Sequence, residues 1–332
     1  ENHIYSELGF YYTQQGQAEL LERSVLTNNG KRMTGDSLFY DRNRGIGEAF
    51  QNVEFVDTIS KNMLTGDYCF YNQLTGYAFA TDKAVATDFS QGDSLFIHAD
   101  TLQLYTFHVN TDSVYREARA YHKVRFYRTD IQGVCDSLVF SSKDSCLTLY
   151  QDPILWNGKQ QLLGEEIMVY MNDSTIDWAH IQNQALSVEQ LDSLNYNQVS
   201  GKDMKAYFEG GEMKQVDVDG SVRLVYFPME KDSTLLGMNC SETSKLSMFL
   251  ENRKLKKLAM SPKSNGTLYP MTQIPPAKMK LDNFAWFDYV RPLNKADIFN
   301  WRGKGAGQEL KKSTRGAAPL PNQKLFENTK KE

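Results

Sequence analysis

The residues able to do chemistry are few in this chain and poorly spaced for it. Five histidines, His3, His98, His108, His122 and His180, fall singly, without an HExxH or HxH pattern and without a nearby cysteine pair. A metal site needs ligands that converge, so these histidines read as structural or solvent-facing. The four cysteines, Cys69, Cys135, Cys146 and Cys240, have no CxxC spacing and read as small buried hydrophobes. Only Cys135 and Cys146 are near enough in sequence to consider as a bridge, and their offset does not set them opposite each other in a simple hairpin. There is no GxSxG and no phosphate-binding loop. The glycine-rich Gly303-Lys304-Gly305-Ala306-Gly307 follows no strand. The expectation is therefore no enzyme, no cofactor and no metal.

Four acids, Asp36, Asp67, Asp100 and Asp136, recur about 33 residues apart, far longer than the short periods of calcium-binding solenoids. They read as turn residues where strands begin. The segments around them are more informative, because they repeat. Gly35-Asp36-Ser37-Leu38-Phe39-Tyr40 returns as Gly66-Asp67-Tyr68-Cys69-Phe70-Tyr71. Weaker copies follow at Leu102, Leu138, Ile167, Met204 and Leu246. The spacings from Leu38 are 31, 33, 36, 29, 37 and 42 residues. Periods of this size mean stacked supersecondary units that bury their apolar faces only against neighbours.

Each unit reads as a hairpin. Leu38 and Tyr40 alternate with Ser37 and Phe39, Asp41 to Gly45 is a turn cluster, and Ala49, Val53 and Phe55 share one parity of the return strand. The return strand echoes in Ala120, Val124 and Phe126. About eight hairpins, roughly sixteen strands, should run from residue 4 to about 271, a stack on the order of 75 Å long at ~4.8 Å per strand. Across copies, the Leu38 and Tyr40 positions stay apolar or aromatic while the one between them varies, so the former face inward. The fold class expected is all-β, an elongated antiparallel stack.

At 332 residues, length alone would suggest two or three domains, but the repeats argue for one long body, residues 1–275. Residues 276–302, with Phe284, Trp286, Phe287 and Trp301, should form a short helical or irregular cap on the end of the stack. Residues 303–332 are expected to be disordered. Ser187 to Leu194 reads as one or two inserted helical turns. Net charge is −4 with both signs interspersed, so no basic stripe invites nucleic acid. No apolar run is long enough for a membrane-spanning helix. The first strand enters as if in mid-repeat, so the N-terminal edge should be open, with the far edge covered by the cap.

The unit Thr34-Gly35-Asp36-Ser37-Leu38-Phe39-Tyr40-Asp41, then Gly45, Ala49, Asn52-Val53 and Asp57, followed by Thr65-Gly66-Asp67, resembles the OstA-like family, the organic-solvent-tolerance, LptA-type group of bacterial envelope proteins. Gln198 to Phe208 is similar to later units of its long Bacteroidetes-type members. The likeness runs over roughly residues 5–270. It implies a β-jellyroll, or β-taco, with an apolar interior, a periplasmic place in a Gram-negative envelope, and transport of lipopolysaccharide toward the outer membrane. It also implies that lipid A acyl chains lie in the groove and that related transport proteins join through exposed edge strands. The lining residues would include Leu38, Tyr40, Val53, Phe55, Tyr71, Leu102, Leu104, Val124, Phe126, Leu138, Phe140 and Ile167. Two other readings stay open. One is a β-repeat scaffold or adhesin, which a core packed shut would favour. The other is a polysaccharide-acting enzyme, which clustered outer carboxylates would favour.

Overall fold

The computed structural model describes residues 2–305, except 29, 60, 91, 110, 173, 174, 231, 233 and 253. The tail expected to be disordered thus lies, from residue 306 on, outside the described residues. All of the strands belong to one 24-stranded sheet, and neighbours pair antiparallel in a meander. The segments form sixteen rungs, eight unbroken and eight split in two at a corner. In order they are 2–12, Gln17–Asn28, Lys31–Asp41, Ile46–Asp57, Asn62–Asn72, 77–88, 95–107 and Tyr115–Tyr127, then Gln132–Ser141, 146–157, 160–171, 176–190, 196–209, Glu212–Tyr226, Gly237–Glu251 and 254–270. The elongated antiparallel stack expected from the repeats is what the chain forms, and it takes the β-jellyroll form that the resemblance implies.

Each rung bends once near its middle, which folds the sheet into two walls. The first wall carries the Leu38 half of each rung and the second carries the Phe55 half. On even-numbered rungs from 2 to 12 the bend is made by two successive residues with positive φ: Glu22 and Arg23, Gln51 and Asn52, Asp82 and Lys83, His122 and Lys123, Gln151 and Asp152, Asn183 and Gln184. Left-handed backbone is costly for residues with a Cβ, and the odd-numbered rungs support it with their repeated acids. The Asp67 N–H donates to the Asp82 carbonyl at 2.8 Å. Asn52 donates its side-chain amide to Asp36 at 2.9 Å, Lys83 reaches Asp67 at 3.0 Å, and Gln184 donates to Glu165 at 2.6 Å. The recurring Gly-Asp is therefore the corner of an odd rung, in the middle of a strand rather than at its start.

Register explains the repeat. Leu38 pairs with Leu20 and Ala49, and the same row passes through Cys69, Ala80, Leu102, Ala120, Leu138, Leu149 and Ile167 to Leu246. One buried cluster joins this row to Val53, Phe126, Leu155, Val199 and Leu224 of the second wall, so the two inner faces pack across the bend.

Two expectations change. Ser187 lies in the strand Ala185–Gln190, paired on both sides, and the following residues turn. The segment expected on the end of the stack lies instead along the outer face of the second wall. There Phe287 and Val290 pack on Val134, Ile154, Trp156, Leu163, Leu186 and Val188. Met279 and Leu281 lie over Val225, Phe227 and Met238. The cause is composition: this stretch of the second wall is apolar on both faces and needs cover on both. The covering strap takes the form of short 3-10 turns, Met271–Gln273, Pro276–Lys278, Asp288–Val290 and Asp297–Phe299.

Candidate functional site

The candidate site is the inner face. Alternation within each half-rung sends one parity into the angle between the walls and the other out of it. Every residue expected to line the groove is on the inward parity. Leu38, Val53, Leu102, Val124, Phe126, Leu138 and Ile167 are buried. Phe55, Leu104 and Phe140 are half-buried. Tyr40 and Tyr71, in the same row as Leu104 and Phe140, are 36% and 43% exposed.

Three rows define this face: the Leu38 row, the Tyr40 row beside it, and the Phe55 row on the opposite wall. Between rungs 2 and 15 they carry no charged side chain, only aliphatic and aromatic groups, methionine, glycine, cysteine, two tyrosines and, on the second wall, Ser187 and Ser241. Backbone N–H and C=O groups are engaged in the ladders on either side. A molecule lying along this face meets side chains alone and gains no hydrogen bond from strand backbone.

Two thiols on the face, Cys69 and Cys135, are held in their neutral forms. Burial pushes the Cys69 thiol up to about 12. Burial also raises the Cys135 thiol. All four cysteines are free. On the outer side of the first wall, Tyr68 is raised to about 12, by burial first and then by its 2.8 Å bond to Glu48. Among the described residues no group of three or more His, Cys, Asp or Glu is placed to hold a metal ion. No described helix is long and apolar enough to cross a membrane.

Sequence reasoning missed the opposite face of the second wall. Gln132, Trp156, Gln161, Val188, Gln198, Val225 and Cys240 form one register row. Each glutamine in it holds the strap. Gln161 donates to the Ala285 carbonyl at 2.9 Å and accepts from the Phe287 N–H at 2.8 Å. Gln198 does the same with the Met279 carbonyl at 2.7 Å and the Leu281 N–H at 2.9 Å. Gln132 accepts from the Arg291 guanidinium at 2.8 Å. The signal available was a glutamine at the same register position on every second rung, at 132, 161 and 198.

Residues 2–89, which are rungs 1 to 6, match the family model of OstA-like proteins. The resemblance read from the Gly35 and Gly66 units is borne out there. No curated protein matches the chain. Among solved structures, the chain is similar to LptH of Pseudomonas aeruginosa, described as the LptA homologous periplasmic component of the conserved lipopolysaccharide transport device. The identity is 10%, the match covers 45% of this chain and 82% of that one, and the TM-score is 0.22.

Proposed function

We propose that this chain, OstA-like over residues 2–89, is a non-enzymatic lipid carrier of a Gram-negative envelope. In this reading it works in the periplasm and shields the acyl chains of lipopolysaccharide between its two walls. The observation that carries the reading is the inner face itself: uncharged and half-open along its first rungs, with backbone polar groups already engaged. Only a ligand that needs no hydrogen bonds suits such a surface. Burial of acyl carbons there is worth about 0.8 kcal/mol per CH₂. Near-equivalent rungs let a chain slide without one deep trap.

Partners join through the sheet in the same reading. Among the described residues rung 1 pairs only with rung 2, and Ile4, Tyr5, Phe10 and Tyr11 are exposed on it. Such an edge suits strand addition by related transport proteins. The scaffold reading has one observation in its favour: Phe126, Leu155, Val199 and Leu224 of the later rungs are buried between the walls.

The test is photo-crosslinking in cells. A photoreactive residue at Phe55, Leu64 or Tyr71 should capture lipid A. Capture from the outward Glu54 alone would overturn the carrier reading.

A further inference from the structure

The inner face is not uniform along the stack. Through rungs 2 to 7 the second-wall row, Leu26, Met33, Phe55, Leu64, Ala86 and Ile97, is half-buried. From rung 8 to rung 15 the row is buried except at Leu162, which stays half-buried, as do Phe140 and Leu147 on the first wall of rungs 9 and 10. Phe126 is 4% exposed, and Leu155, Val199 and Leu224 are buried with it, while Val169, Ala179 and Ala206 close the first wall opposite.

The change falls on one cross-strand pair. Phe126 stands opposite Gly133 in the ladder between rungs 8 and 9. A Cβ at Gly133 would sit 2.2 Å from the Phe126 Cζ and 2.9 Å from the Leu155 Cδ2. The phenyl ring thus occupies the room that a side chain at Gly133 would take, and Leu155 continues the seal on rung 10.

We infer that Phe126 marks the inner end of the ligand-accessible groove, so that an acyl chain is held by rungs 2 to 7 and the later rungs are a dry core. This rests on the carrier reading above and adds to it a limit on where the chain can lie. The occupant is an acyl chain rather than a peptide strand. A peptide would bring N–H and C=O groups to a face whose own backbone groups are taken, and each would be left unsatisfied. Phe126 acts here as a residue that sets length, through the ring it lays over Gly133.

The experiment uses the full purified chain and palmitic acid carrying a diazirine in its tail. After irradiation and digestion, labelled peptides are mapped. Label is expected on inward positions between residues 18 and 104 and absent from 147–250. In Phe126→Ala the label should extend into 147–169, rising there from background to the level of the open section. Ala86→Trp, which fills the open section without touching the Phe126 pair, should lose the label. If the wild-type chain is labelled across 147–250, the limit is overturned while the carrier reading stands. Absence of label anywhere in the wild type removes the carrier reading and the limit with it. A folded Phe126→Ala chain with an unchanged map overturns the role assigned to Phe126, and retained label in Ala86→Trp overturns the placement of the acyl chain in rungs 2 to 7. Should Phe126→Ala fail to fold by circular dichroism, the milder Phe126→Leu is mapped in its place, with the same two outcomes.

Discussion

Gln161 brackets Phe287: its side-chain Oε1 accepts the Phe287 N–H at 2.8 Å, and its Nε2 donates to the Ala285 carbonyl two residues earlier at 2.9 Å. This side chain is fully buried. Truncation would leave a strap donor and acceptor without partners, at about 1–3 kcal/mol for each group left buried. Gln161→Ala should therefore lower stability in urea and speed amide exchange at Phe287. Gln198→Ala should do the same at Leu281. Unchanged exchange in both variants would mean that packing alone holds the strap.

Removing the strap altogether uncovers an apolar face rather than a sheet edge. A chain ending at residue 270 would expose Ile154, Trp156, Leu163, Leu186, Val188 and Phe227, all fully buried in the intact protein. A contiguous patch of that kind drives association. The truncated chain should bind anilinonaphthalene sulfonate, show red-shifted tryptophan emission from Trp156, and self-associate with rising concentration. A monomer with unaltered emission would show that the second wall needs no cover.

The corner glycines differ in what they tolerate. At Gly35 an added Cβ meets only ordinary contacts, the nearest at 3.4 Å to Leu38. At Gly201 it would come within 2.4 Å of Val218 Cγ1 and 3.1 Å of the Asp219 carbonyl. Gly35→Ala should change stability by less than about 0.5 kcal/mol. Gly201→Ala should cost about 1–3 kcal/mol through overpacking. Chemical denaturation of the two variants side by side checks this. Equal effects would mean that the odd corners demand glycine for a reason other than space.

Much of this architecture is legible in sequence because a meander keeps its contacts local along the chain. Leu38 and Ala49 are ladder partners within one hairpin, and the period of two shows both. The corners could also have been read: Glu22-Arg23, Gln51-Asn52 and Asp82-Lys83 are polar pairs that interrupt the alternation. Val188, Leu191 and Leu194 imitate a helical spacing, yet pairing of 185–190 on both sides fixes a strand. The strap escaped because its partners are remote, as Gln132 is from Arg291 and Arg125 from Ile298. The division of the groove escaped for a different reason. Phe55 and Phe126 are the same residue type on the same row, and only the approach of the opposite wall separates the half-buried ring from the buried one.

Acid should loosen the far end of the strap in two steps. Phe299 packs on His98 with ring centres 4.7 Å apart, and the His98 Nδ1 lies 2.7 Å from the Ala84 carbonyl, to which it donates. Burial is the main force lowering the His98 pKa below its ordinary 6.5. The Arg125 cation adds to it, while the Ala84 bond and Asp100 oppose it. A lowered folded value means that the contribution is complete above the ordinary value near 6.5 and is lost as pH falls through the folded one. Asp297 is held well below the carboxylate range, chiefly by its bond to Arg302, with Asn300 and the Leu293 N–H adding to it. Its contribution is complete above about pH 4 and fades only below that. Amide exchange across residues 290–302, followed from pH 8 to pH 3, should rise first below about 6.5 and again below about 4. His98→Phe should abolish the first rise and Asp297→Asn the second. A single rise untouched by His98→Phe would show that His98 does not control the docking of Phe299.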